Sequence, residues 1–160
     1  MQKTITTSRD QREVAVTGEL IAESTDRLAL FQQDDRFITI ELYAVDSGGF
    51  VAAVSLGSSS SDIPFFVDAD FLDTALDVEH FLYLFELDEV IDFKSERDPH
   101  AQRKFVSVYE RQAFAVLNAL TEYQSTHPDC EVAAKPEPKK RGLLQRLTQL
   151  SQDAEVSDDD

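Results

Sequence analysis

The sequence predicts an α+β domain: an antiparallel sheet of about four strands with helices packed on one face, then a C-terminal linker and short amphipathic helix. Three observations predict it. Residues 36–56 hold two β-rich runs on either side of a Gly-Gly pair. Residues 13–23 alternate apolar and polar. Residues 99–126 carry an apolar stripe at helical spacing. The domain is placed at 1–127 and the appendage at 128–160.

Taken in order, Lys3-Thr4-Ile5-Thr6-Thr7 reads as a short edge strand, and Arg9 to Arg12 as a polar turn. In 13–23, Val14, Val16, Leu20 and Ala22 share one parity, and Gly18 holds that parity without a side chain, which marks a bulge or a close crossing. Ser24-Thr25-Asp26 reads as a turn or helix cap. Leu28 to Phe31 fit either a helical turn or an extension into the hairpin. In the hairpin, Ile38, Ile40, Leu42 and Ala44 form the cleaner apolar face and are assigned to the core. Thr39, Glu41, Tyr43 and Val45 form the other face, where Glu41 beside Tyr43 points to partial exposure. Gly48 and Gly49 accept positive φ and supply the turn. Gly57 to Asp62 reads as a flexible polar loop, and Ile63 to Val67, interrupted by Pro64, as an edge strand or extended crossing.

Between Asp62 and Asp92 lie ten acidic residues and no Lys or Arg, with apolar residues interleaved. Phe71, Leu72, Ala75 and Leu76 predict a helix capped by Asp68 or Asp70. Val78, Phe81, Leu82 and Phe85 predict a second over 78–91, in competition with a strand through His80–Leu87. Asp98-Pro99 opens the long helix, with Asp as cap and Pro at the first helical position, and His127-Pro128 ends it. Past Pro128 the chain is polar and Pro-spaced. Lys139, Lys140 and Arg141 then precede Leu143, Leu144, Leu147 and Leu150 at i, i+1, i+4, i+7. A lone helix of about 12 residues is marginal in water, so this segment docks on its own domain, docks on a partner or frays.

Bulk composition narrows the function classes. No apolar run approaches a membrane span of roughly 18 residues, and the N-terminal stretch lacks the apolar core of a secretory signal, so a cytoplasmic location without membrane contact is expected. Cys130 is the only cysteine, which excludes an internal disulfide and a Cys-based zinc site within one chain. Thirty-one acidic against fifteen basic residues give a net charge of −16, which repels nucleic acid and either serves solubility alone or attracts a basic partner.

Catalytic signals are weak. There is no P-loop, no G-x-G-x-x-G and no G-x-S-x-G elbow. His80, His100 and His127 are scattered, and Cys130 lies between Asp129 and Glu131, which disfavour its thiolate. Asp68, Asp70 and Asp73 could take a hard cation, but capping and solvation account for the same residues, and no cofactor is expected.

The run Val16-Thr17-Gly18-Glu19-Leu20-Ile21-Ala22-Glu23, followed by Leu42-Tyr43-Ala44-Val45-Asp46-Ser47-Gly48-Gly49-Phe50-Val51, resembles small bacterial proteins of uncharacterised activity, some carried on plasmids and other mobile elements. Their hairpin has the form Leu-Tyr-x-Thr-x-x-Gly-x-Tyr-Val; here Val45 replaces the Thr and Phe50 the Tyr. The resemblance spans roughly residues 12–56 and implies a bacterial origin and a β-hairpin, with no activity attached.

The expected function is that of a non-catalytic accessory or regulatory protein binding a basic protein partner, with contacts from Leu143, Leu144, Leu147, Leu150, Asp73, Asp77, Glu86 and Glu89. Three alternatives stand beside it: an acidic DNA mimic that occupies a nucleic-acid-binding protein, a carboxylate or metal-assisted enzyme around Asp68, Asp70, Asp73 and His80, and a self-associating subunit.

Overall fold

Five strands form a sequential antiparallel meander in a computed structural model that describes residues 1–28 and 34–131. They are β1 (Gln2–Thr6), β2 (Glu13–Arg27), β3 (Arg36–Val45), β4 (Phe50–Ser58) and β5 (Ser61–Leu72), each hydrogen-bonded to its predecessor. Two helices follow, α1 (Ala75–Tyr83) and α2 (Ala101–Thr126), with short 3-10 turns at Leu87–Glu89, Phe93–Ser95 and Pro128–Glu131. The architecture is α+β as expected, with five strands rather than about four, because the Ile63–Val67 run belongs to a full strand reaching Leu72.

The sheet curls until its ends meet. The Ser8 amide donates to the Val67 carbonyl at 2.7 Å, and Arg12 Nη2 donates to the Ala69 carbonyl at 2.8 Å. The result is nearly a barrel, and it has two apolar cores. Inside the curl lie Ile5, Val14, Val16, Tyr43, Val51, Ala53 and Ala69. On the outer face Ile38, Ile40, Leu42, Ala52, Val54 and Leu56 pack under Val78, Leu82, Phe105, Val116 and Leu120 of the helices. The Ile38 face is therefore core, as its composition indicated. The opposite face departs from expectation: Tyr43 is only 1% exposed, because curling turns a solvent face into an interior. Glu41 is reconciled to this by Lys3 Nζ, which donates to its carboxylate at 2.6 Å, and by the Tyr43 hydroxyl, also at 2.6 Å.

Other departures have local causes. Ser24-Thr25-Asp26 does not turn; it continues β2, paired with Ile40, Thr39 and Ile38. The bulge falls between Leu20 and Ala22, so Leu20 faces solvent while Ile21 and Ala22 pack on the outer core. Gly18 marks the close crossing: a Cβ there would sit 1.9 Å from the Ala44 carbonyl oxygen. At the hairpin turn, Gly48 and Gly49 have φ of +99° and +78°, as the sequence requires. Of the polar loop read over 57–62 only Ser59 and Ser60 turn, since Ser58 ends β4 opposite Ser61 of β5. Ala29 to Phe31 lie outside the described residues.

Helix boundaries also shift. Asp68 and Asp70 cap nothing, being strand residues; the cap of α1 is Thr74, whose hydroxyl accepts from the Asp77 amide at 3.1 Å. The helix read over 78–91 stops at Tyr83, and no strand runs through His80–Leu87. Asp98 does precede α2, but its carboxylate accepts from the His100 amide at 2.8 Å, and the helix begins at Ala101. With 26 residues α2 is roughly 39 Å long and lies chiefly over β2 and β3. Gln112 anchors it there, its amide nitrogen donating to the carbonyls of Ile38 (2.9 Å) and Ser24 (3.2 Å). Among the described residues no helix is long and apolar enough to cross a membrane.

Candidate functional site

Strand β5 is where the acidic residues become a site. Phe66, Asp68, Asp70 and Leu72 share one parity. Phe66 and Leu72 enter the core beneath the helices, and Ala69 enters the interior of the curl. Asp68 and Asp70, between the two buried apolar positions, line an open cleft. Its other wall is α1 with the turn that follows, which contributes Asp77, His80, Phe81, Leu84, Phe85, Glu86 and Glu89. Phe71 and Asp73 complete it, and the space enclosed is about 560 Å³.

Each wall is held from behind. Thr74 and Asp77 form a reciprocal cap, in which the Asp77 carboxylate accepts from the Thr74 amide at 3.0 Å. Phe85 stacks on Tyr109 of α2 with centroids 5.5 Å apart and meets Phe66 edge-on at 6.0 Å. The Tyr109 hydroxyl donates to the Leu82 carbonyl at 2.6 Å. Burial, then the charge of Asp68, pushes the Tyr109 phenol well above its ordinary range, so it remains a donor.

One cation enters the cleft lining. Arg9, from the β1–β2 turn, places Nη2 2.6 Å from Glu89 Oε2 and its guanidinium 5.8 Å from the centre of the Phe66 ring. Beside it, Arg12 Nη1 lies 3.2 Å from Asp70 Oδ1. These two arginines do not balance the carboxylates. A hydrogen bond to Glu89, and then the Glu89 charge, hold the Glu86 carboxyl above its usual range. Apolar surface is left uncovered in the same place: Leu84 is 76% exposed and Phe71 46%.

The structure thus brings Asp68, Asp70, Asp73, Asp77, His80, Glu86 and Glu89 to one cleft, although they come from a strand, a helix and a turn. Asp77 is there chiefly as a capping residue. Among the described residues no group of three or more His, Cys, Asp or Glu side chains is placed to hold a metal ion. Leu143, Leu144, Leu147 and Leu150 lie outside the described residues. Sequence reasoning missed Arg9 and the apolar floor of Phe71, Leu84 and Phe85. Arg9 had no local signal, since a cation in a polar turn is ordinary. The aromatics had been absorbed into helical periodicity.

Comparison with protein-family models, with curated proteins and with solved structures found no match.

Proposed function

We propose that the protein is a non-catalytic accessory protein that acts by binding another protein, taking a basic segment of that partner into the cleft between β5 and α1. One observation carries the reading: carboxylates from three elements converge on a concave surface whose lining includes a single arginine and also exposed Leu84 and Phe71. A segment carrying both cations and apolar side chains satisfies both halves of that surface. Charge supplies steering and selectivity, and apolar burial supplies affinity. Concavity and the aromatic lining favour a polypeptide over imitation of duplex phosphates, which calls for carboxylates on a convex, exposed face. The net charge of −16 extends the attraction beyond contact range at low salt.

Calorimetric titration of the full chain with a Lys/Leu-rich peptide, a Lys/Ser peptide of equal charge and an acidic control tests this. The expected order of affinity is Lys/Leu, Lys/Ser, then no binding, with Kd rising steeply between 50 and 500 mM salt, a range of about tenfold in ionic strength. The double variant D73K/E86K should abolish binding. Equal binding by that variant and the parent would sink the proposal.

A further inference from the structure

The chain itself carries a segment of the composition the cleft calls for. Over residues 135–146 stand Lys135, Lys139, Lys140, Arg141 and Arg146 against a single acid, Glu137, in a chain with twice as many acids as bases. Leu143, Leu144, Leu147 and Leu150 are interleaved with and follow these cations. Cations and leucines thus occur together here, as carboxylates and exposed Phe71 and Leu84 do in the cleft.

We infer that residues 139–150 occupy the cleft of their own chain, so that a basic partner must displace them. The inference rests on the reading of the cleft as a site for basic segments. Distance permits it: eight residues of extended chain from Glu131 to Lys139 span up to about 28 Å, close to the roughly 25 Å of α2 between Tyr109, which stacks on Phe85 at the cleft, and Thr126. Pro136 and Pro138 favour that extended form over the intervening stretch. Tethering also matters energetically. A short linker holds the segment at an effective concentration on the order of millimolar, so even weak intrinsic affinity fills the cleft. Occupancy lowers the apparent affinity for any competitor by the fraction of molecules left open.

The test uses two forms of the full chain, the parent and K139E/K140E/R141E, with a fluorescent synthetic peptide of residues 135–152 as probe in anisotropy titrations. The expected result is about tenfold tighter probe binding by the charge-reversed chain, because its own segment no longer competes. Adding D73K/E86K should remove that binding, and backbone amide shifts of Leu84 to Glu86 should differ between the parent and the charge-reversed chain. Equal, cleft-dependent affinity in both forms would overturn self-occupancy and leave the cleft as a site for basic segments. No binding by either form would overturn both. A concentration-dependent dimer in sedimentation, lost in the charge-reversed chain, would place the segment in a second copy and overturn the intramolecular form.

Discussion

The Tyr109 hydroxyl closes a hydrogen bond on the carbonyl of Leu82, 27 residues earlier, inside the packing between the two helices. Leu82 lies in the last turn of α1, where carbonyls lose their intrahelical donors. The tyrosine supplies the missing donor, and its ring stacks on Phe85 at the back of the cleft. Tyr109→Phe keeps the stacking and orphans the carbonyl. The expected loss is about 2 kcal/mol in urea unfolding, with the slope of the transition unchanged. An unchanged midpoint would mean that water replaces the hydroxyl.

Thr74 begins the same helix from the other end. Thr74→Ala removes the acceptor for the Asp77 amide and should cost about 1 kcal/mol, whereas Thr74→Ser should cost far less. Because Asp77 is tied to this cap, the alanine variant should also weaken basic-peptide binding. Urea titration and calorimetry on the same samples separate the two effects.

Gly18→Ala and Gly48→Ala remove glycines needed for different reasons. At Gly18 the added carbon would meet the Ala44 carbonyl at 1.9 Å, so β2 and β3 must part. At Gly48 nothing lies within 4 Å, but φ is +99°. Gly48→Ala should cost about 1–2 kcal/mol through backbone strain alone. Gly18→Ala should cost more and should also broaden amide resonances along β3.

Glu86 makes stability depend on pH in a direction opposite to Asp10, Asp92 and Asp98. Its carboxyl is raised by Glu89 first and Asp88 further off, against the opposing charge of Arg9. In the window above the ordinary value of 4.5, the folded chain keeps a proton that the unfolded chain has released. Stability from this group is therefore lost as pH rises through that window. Asp10, Asp92 and Asp98 are lowered, by Thr7, Ser95 and Lys104 hydrogen bonds first, and their contribution is lost as pH falls instead. Subtracting the Glu86→Gln melting profile from the parent's isolates the Glu86 contribution. The variant should gain relative to the parent as pH rises above 4.5, and a flat difference would remove Glu86 from the account.

What could be read from sequence was whatever repeats along a single element. Ile38, Ile40 and Leu42 declare a strand face by alternation, and Phe105, Tyr109, Ala113, Val116 and Leu120 declare a helix face by their spacing. Curling of the sheet left no such trace, because it depends on Ser8 meeting Val67 across 59 positions. Tyr43 was therefore misjudged as half exposed. Asp68 and Asp70 were misjudged as caps because Asp in a cap and Asp at an edge strand look alike in one dimension. The cleft was half legible: its carboxylates stood out as a run without cations, while Arg9 reached it only through the fold.

The order of the strands also governs how the chain can be made. Each strand pairs with the one before it, so the meander can zip as residues emerge from the ribosome, without waiting for distant partners. Its outer face is a different matter. α1 reaches β4 some 20 residues after Val54, but Ile38, Ile40 and Leu42 on β3 stay bare until α2 arrives, about 60 residues after Leu42. During that interval the nascent chain presents an apolar sheet with open edges, which is the surface that chaperones bind and that aggregates grow from. The like negative charge of neighbouring copies opposes their association during that interval.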